Sequence, residues 1–439
     1  MKILFLSILF CLTSFLPARA QCGCEGSNIS ITDSLIYAPV KSDFIDKKVD
    51  SVMSLGINSH AFPGAQLLVA RRGAIIFHKS YGYQTYDSII PVENDDLYDL
   101  ASVTKIAGTL PAVMKLVDEG KIDLDAKFSK YWEPWQHRKD KRDLTVREIL
   151  AHQAGLEPYI VFLNDVLRKN GKFKHRFIRA EKSNRFSVQT YDNLYLNKRF
   201  VRKMYRKINR SEVSPEKKYK YSGLTFLLFP QIIENLSGVP YDQFVEDNFY
   251  KPLGANTLMF NPVEHNFPLE KIIPTEEDSI YRKNYVKGWV HDENASLMGG
   301  VSGNAGLFAT ADDLAKLIQM YMNMGIYGGK RYISERTLKE FTRVQFPENE
   351  NRRGLGFDKP LLDNPDLNIE SASPNPEVSM NSFGHSGFTG TFVWADPDHE
   401  LVFVFLSNRV YPTRNNTAVY DLHIRPSLMQ IFYKEENNL

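Results

Sequence analysis

A chain of 439 residues with 43 % hydrophobic residues is long enough to bury a large core, which excludes the disordered and fibrous classes. Its formal net charge of +2 argues against a nucleic-acid-binding protein as a whole. The three cysteines, Cys11, Cys22 and Cys24, all precede Glu25, so the body of the protein folds without disulfides.

Residues 1–20 hold one early lysine, an apolar and small-residue run over 3–16, and Ala18-Arg19-Ala20 as a small-x-small end. This predicts a signal peptide cleaved before Gln21, and with it an exported, periplasmic or extracellular protein. The run is too short to span a bilayer and no later stretch is long enough, so no transmembrane segment is expected. Lipid attachment at Cys22 needs a small residue before it, and Gln21 disfavours it.

Residues 21–41 lack periodicity and read as a linker. From Ser42 the pattern turns helical: Phe44, Ile45, Val49, Val52 and Leu55 share a stripe, with Gly56 as the stop. Residues 65–70 and 74–78 read as a hairpin around Arg71-Arg72-Gly73. Residues 106–119 form a helix that Pro111 must kink, because proline removes one ladder bond. Thr145 caps a short helix through His152, ending at Gly155, and His152 reads as structural. Residues 168–220 carry 18 Lys and Arg against 4 Asp and Glu, with Phe173, Phe177, Phe186, Tyr191, Tyr195, Phe200 and Tyr205 interleaved. The charge suits either an electropositive rim for anionic partners or a solvated helical face, and the aromatics read as core anchors of those helices.

Residues 224–236 predict an apolar helix kinked at Pro230 and stopped at Gly238; another runs from Tyr241 to about Pro252, and an amphipathic one over 311–324. The glycine-rich run 299–306 lacks the Gly-Lys-Ser/Thr ending of a phosphate loop and reads as tight packing or close backbone approach to a site. Residues 391–395 and 401–406 are strands around Asp396-Pro397-Asp398-His399, and a last helix over 417–434 is interrupted at Pro426. Both ends of the sequence thus build one antiparallel sheet flanked by helices, an α/β (α+β) domain over 42–434, with a mostly helical segment of about 125–290 inserted.

Three short stretches carry chemistry. Ser102-Val103-Thr104-Lys105 puts a hydroxyl at i and an amine at i+3 on one face of a buried helix start, a nucleophile beside its activator. Ser214-Pro215-Glu216-Lys217 matches the same pattern but lies among solvated charges, where Ser214 reads as an N-cap with proline at the first helical position. Burying Lys105 is costly unless it has a task or partner, which sets the first copy apart. Tyr221-Ser222-Gly223 stands in a loop before the apolar helix, and His385-Ser386-Gly387-Phe388 at the entry to the terminal hairpin. No histidine lies in His-Glu-x-x-His or comparable metal-ligand spacing; residues 291–294 read as a loop near the cleft.

In this order and at these separations the three stretches resemble the signatures of the serine beta-lactamase and penicillin-binding-protein superfamily. Pro63-Gly64-Ala65, Tyr98 to Ser102, Leu144 to Leu156, Gly306-Leu307-Phe308 and Gly384 to Thr391 are similar to its class C-like branch of esterases and D-amino-acid peptidases. The resemblance implies a beta-lactamase/transpeptidase-like fold, a small-molecule or peptide substrate, possession of no cofactor, and an acyl-enzyme formed on Ser102. It implies that Lys105 and Tyr221 share the proton traffic, that the Ser102 and Phe388 amides form the oxyanion hole, and that His385, Ser386, Gly387 and Gly223 contact substrate. Gly223 replaces the usual Asn or Asp, and His385 replaces the usual lysine, exchanging a permanent cation for a group that titrates near neutrality. An ester or peptide is therefore expected ahead of a beta-lactam. An anionic substrate would be cleaved less well as pH rises through the His385 range, and His385→Lys would flatten that loss.

Overall fold

The computed structural model describes residues 34–434. The expected signal peptide, the cysteines and most of the expected linker lie outside them. The end of that linker is not featureless, because β1 (Ile36–Tyr37) pairs in parallel with the third strand. Ser42 caps α1 (Asp43–Asn58) by accepting from the Ile45 amide at 3.4 Å. The helix runs through Gly56, where a Cβ would sit 2.7 Å from the Phe62 ring, so Gly56 is a point of close packing rather than the stop. The buried stripe is Ile45, Val49, Met53 and Gly56, whereas Phe44 and Leu55 are 54 % and 47 % exposed.

The hairpin of β2 (Gly64–Arg71) and β3 (Ala74–Gly82) turns on Arg72 and Gly73, both at positive φ (51° and 76°). That pair of left-handed residues matches the twist of a two-residue hairpin. β4 (Tyr98–Asp99) then leads to the Ser102 turn and α2 (Leu110–Asp118). Thr145 and Glu148 form a reciprocal capping box on α3 (Val146–Leu150).

The segment expected to be mostly helical holds a three-stranded antiparallel sheet, β5 (Ile178–Arg179), β6 (Phe186–Tyr191) and β7 (Leu194–Asn197), in the order β5-β7-β6. Of the basic stretch only α4 (Arg199–Arg210) is a regular helix; it buries Phe200, Met204 and Ile208. Phe186, Tyr191 and Tyr195 therefore lie on strands, not helices. Ser214 to Lys217 is not helical either: Lys217 pairs with Glu148, and Ser214 Oγ accepts from the Glu216 amide at 3.3 Å.

After α5 (Phe229–Ser237), ended by Gly238 in the left-handed conformation, come β8 (Met259–Phe260), α6 (Glu293–Leu297), β9 (Leu307–Ala309) and α7 (Ala311–Met322). β10 (Phe383–Ser386), β11 (Phe392–Asp396), β12 (Leu401–Ser407) and α8 (Ile424–Lys434) close the chain. The break before α8 falls at His423 (φ +47°), and Pro426 sits harmlessly in the first turn of the helix.

The main sheet has the order β1-β3-β2-β12-β11-β10, antiparallel throughout except for the β1–β3 pair. Leu67, Val69, Phe403 and Phe405 pack with Val49, Leu428 and Phe432 of α1 and α8 on one face. Leu68, Ala70, Val402 and Val404 join Leu314 and Ile318 of α7 on the other. Burial on both faces explains why these central strands read as unbroken apolar runs. β10, at the sheet edge, lies beside the Ser102 turn.

Candidate active site

Ser102 lies in a tight 3₁₀ turn (Ala101–Val103) that begins from a strained residue, Ala101, at φ +44°. Buried Asp99 holds that turn: Oδ1 accepts from the Ala101 amide at 2.8 Å and Oδ2 from the His291 amide at 2.6 Å. Burial raises the Asp99 carboxyl above its ordinary range, and these amides oppose the shift. The next turn, Lys105–Thr109, is a π-turn rather than a proline kink. Pro111 has no amide to offer, and the Ile106 and Ala107 carbonyls instead accept from the Tyr321 and Tyr250 hydroxyls at 2.7 and 2.9 Å.

Lys105 is 2 % exposed. Its Nζ donates to Ser102 Oγ at 2.9 Å and to the Asn304 carbonyl at 3.1 Å. Asn304 belongs to the glycine-rich run, whose Gly303 carbonyl also accepts from Thr109 Oγ1 at 2.8 Å; close backbone approach is what that run provides. Asn304 is fixed in turn by Ser302 Oγ at 2.7 Å and by Asp292 Oδ1 at 3.2 Å, and Asp292 caps α6. Ser302 and Asn304 fall in the glycine-rich run and Asp292 in the loop expected near the cleft, but no sequence signal linked them to Lys105.

The Tyr221 loop is laced to the end of α3. The Lys220 amide donates to the His152 carbonyl at 2.9 Å, Ser222 N to His152 Nδ1 at 3.2 Å, and Ser222 Oγ to the Glu157 carbonyl at 2.6 Å. This puts the Tyr221 ring 5.2 Å from Lys105 Nζ and 4.5 Å from the His152 ring. His152 thus holds the Tyr221 loop as a structural histidine and lies in the wall of the site. Burial, with Arg353 and Lys105 nearby, depresses it well below the ordinary histidine range. The buried Tyr221 hydroxyl and His152 Nε2 have no hydrogen-bond partner among the described residues. At Gly223 a Cβ would meet nothing within 4 Å, so its neighbourhood is open.

His385 projects from edge strand β10, with ring centroids 6.1 Å from Tyr221. Its Nδ1 lies 2.7 Å from the Ser386 carbonyl, and its Nε2 3.2 Å from a guanidinium nitrogen of Arg353. A carbonyl can only accept, so Nδ1 carries the proton and Nε2 accepts from Arg353. Burial first, then Arg353 and Lys105, lower His385 to about 3. The titration near neutrality expected from the sequence is therefore overturned: His385 is neutral at physiological pH, and the cation at this position is Arg353.

Past β10 the chain turns back over Ser102. Thr389 Oγ1 donates to the Asp99 carbonyl at 2.7 Å and Thr391 Oγ1 to the Leu100 carbonyl at 3.0 Å, tying this turn to the segment that presents Ser102. Gly387 is required there, since a Cβ would lie 2.5 Å from the Leu100 carbonyl oxygen. The Ser102 and Phe388 amides donate to no protein acceptor among the described residues. Ser386 and Phe388 are exposed, and Phe388 stacks on His291 at 5.8 Å with the Arg409 guanidinium at 4.6 Å from its ring. His291 is held by Glu276 at 2.9 Å, and Glu276 is lowered to about 2 because His291 and Arg414 outweigh its burial.

Ser102, Lys105, Tyr221, Gly223 and His385 to Phe388 are thus brought to one place from three parts of the chain. The fold is that of the beta-lactamase and penicillin-binding-protein scaffold. The beta-lactamase family model matches residues 43–424, and the chain belongs to that family. A Salmonella typhimurium (strain LT2) protein provisionally named a D-alanyl-D-alanine carboxypeptidase is 33 % identical over 385 residues, 82 % of this chain and 81 % of that protein. The penicillin-binding protein homologue of Caulobacter crescentus is similar in structure with a TM-score of 0.62 at 18 % identity, covering 90 % of this chain and 99 % of that one. The D-amino acid amidase of Ochrobactrum anthropi SV3 gives a TM-score of 0.60 at 15 % identity, covering 89 % and 99 %.

Proposed function

We propose that this protein is an exported hydrolase that cleaves an amide or ester next to a D-amino acid, by way of an acyl-enzyme on Ser102. The carrying observation is the 2.9 Å hydrogen bond between Lys105 and Ser102, made inside a wall that fixes Lys105 at a second point, the Asn304 carbonyl. The names of the Salmonella carboxypeptidase relative and the Ochrobactrum amidase support the substrate class. The N-terminal apolar run supports export; among the described residues no helix is long and apolar enough to cross a membrane.

Ser102 Oγ attacks the carbonyl carbon while its proton passes to the Lys105 and Tyr221 pair. The Ser102 and Phe388 amides receive the oxyanion, being free of other acceptors. The carbon–nitrogen or carbon–oxygen bond breaks, and the leaving amine or alcohol departs with the transferred proton. Water then attacks the acyl-enzyme, delivers its proton to the same pair, and Ser102 is released. Ser386 Oγ, exposed beside the turn, offers a neutral contact to substrate.

The test is labelling of purified protein with a fluorophosphonate and a fluorescent penicillin, followed by turnover of D-amino acid amides, acyl-D-Ala-D-Ala peptides, p-nitrophenyl esters and a chromogenic cephalosporin. Label on Ser102, and turnover of at least one D-amino acid substrate abolished by Ser102→Ala, is the expected result. Cephalosporin turnover without D-amino acid turnover would instead make it a beta-lactamase. A stable adduct without product release would make it a binding protein.

A further inference from the structure

The positive charge behind the third stretch of the site does not come from the residue that stands there. Arg353 is 3 % exposed and comes from the loop preceding β10. One of its nitrogens lies 3.2 Å from His385 Nε2, another 3.1 Å from Asp358 Oδ1, and its guanidinium carbon 5.4 Å from the centre of the Tyr221 ring. Asp358 is welded to the strand that carries His385, through mutual amide–carbonyl bonds with Gly384 of 2.8 and 3.0 Å. Arg352 engages the same carboxylate with two bonds of 3.0 and 3.2 Å. Two guanidinium groups thus share one carboxylate, and a net positive charge is left facing Tyr221 and His385.

We propose that Arg353 is the fixed cation of the Ser102 site. It is a positioning residue that locks His385 as a neutral single tautomer and keeps positive charge on the face of Tyr221, so that the phenolic oxygen can take and return the Ser102 proton. This rests on the hydrolase reading above and goes beyond it, assigning a role to a residue outside the three stretches.

The groups around Tyr221 make the assignment specific. Lys105 Nζ stands 5.2 Å from its ring, His152 at 4.5 Å and His385 at 6.1 Å, with Tyr219 two residues away on its own loop. Both histidines are neutral, and Asp358 lies behind Arg353. Among the described residues no carboxylate hydrogen-bonds to the Tyr221 hydroxyl, which is buried and unpartnered. Lys105 and Arg353 are then the charges that the phenol feels. The Arg353 guanidinium carbon lies 5.4 Å from the centre of the Tyr221 ring, close enough for its removal to change the electrostatic environment in which the site handles the Ser102 proton. Arg353, unlike a histidine, keeps its charge across the working pH range.

The experiment measures the pH dependence, from about pH 5 to 9, of kcat/KM for an ester substrate and of the fluorophosphonate labelling rate at Ser102. It compares the wild type with R353K, R353M and the double variant R353M/D358N, which also removes the carboxylate that Arg353 shares with Arg352, and follows folding by thermal melts. We expect R353M to lose about tenfold or more at pH 7 with its acid limb moved up by about one pH unit or more. R353K keeps the limb of the wild type within about 0.3 unit even where its rate falls, because charge is retained while fork geometry is not. The double variant recovers thermal stability but keeps the displaced limb. A folded R353M or double variant with the wild-type limb overturns the proposal, and so does a folded R353K displaced as far as R353M. Absence of Ser102 labelling in the wild type at every pH overturns the hydrolase reading itself, an outcome separate from the limb position.

Discussion

Gly223 and His385 are the positions at which the sequence motifs were expected to differ from the family's usual pattern, and each residue has a physical consequence in this structure. A side chain at Gly223 would enter open space, since a Cβ there meets nothing within 4 Å and its backbone is not in the left-handed region. Gly223→Asn is therefore expected to fold with an unchanged melting temperature and to raise the acylation rate by a fluorescent penicillin severalfold, measured by stopped-time gel fluorescence. A drop in that rate in the folded variant would mean that the empty space is itself needed by the substrate. His385 gives a prediction on stability. Its native value of about 3 lies below the ordinary 6.5, so above pH 6.5 its neutral burial is fully stabilising. As pH falls from 6.5 towards 3, the unfolded chain binds a proton that the native protein refuses, and stability is lost at up to about 1.4 kcal/mol per pH unit for each such histidine. His152 is depressed in the same direction, whereas Asp96, raised to about 6 by burial, works the opposite way. Comparison with His385→Asn isolates the term: urea unfolding at pH 7, 6 and 5 should show a dependence shallower in the variant by about that slope below pH 6.

At the scale of elements, the turn Lys105–Thr109 shows how neighbours complete what one helix cannot. Tyr321, 215 residues from Ile106 in sequence, and Tyr250, 143 from Ala107, donate to carbonyls of the turn that precedes Pro111, whose one missing amide and the π-turn together disturb the helical ladder. Tyr321→Phe leaves a buried carbonyl without a donor, at a cost of about 1–3 kcal/mol. The expected readout is a lower urea midpoint at unchanged slope together with slower fluorophosphonate labelling, because Lys105 sits on the loosened turn. Wild-type labelling in this variant would show that the turn does not govern Lys105. The proline's missing bond was legible in the sequence; the tyrosines that answer it were not, because nothing local links them. The same divide runs through the site. Ser102, Lys105, Tyr221 and His385 stood in short local patterns and could be read, whereas Arg353, 32 residues before His385, belongs to no pattern and reaches the site only through the fold. The neutrality of His385 was unreadable for that reason, since it follows from burial beside Arg353. For β6, alternation was present in Phe186-Ser187-Val188-Gln189-Thr190, but the flanking charge masked it.

Over the whole molecule, the apolar faces are consumed by the sheet and its two helical layers, and the remaining imbalance is electrostatic. The 18 Lys and Arg of residues 168–220 outnumber its 4 acids, in a chain whose net charge is only +2. Among the described residues, Lys203 and Lys207 pair with Asp165, Lys217 with Glu148 and Lys218 with Glu216, and the other cations of this stretch form no ion pair. On α4 the core contacts come from Phe200, Met204 and Ile208, while Arg199, Arg202, Arg206 and Arg210 are exposed and next to one another in successive turns. Their mutual repulsion destabilises the helix by a few tenths of a kcal/mol per pair, and salt screens it with a Debye length of about 10 Å at 0.1 M. Replacing all four by Gln is therefore expected to raise the melting temperature slightly at low ionic strength. The wild type should approach the variant as salt rises from about 10 mM to 300 mM, and ester turnover should be the same in both. A melting temperature that falls on substitution at every salt concentration would mean that these arginines hold the subdomain together through contacts of their stems, and that the basic stretch is a structural element rather than a charged face.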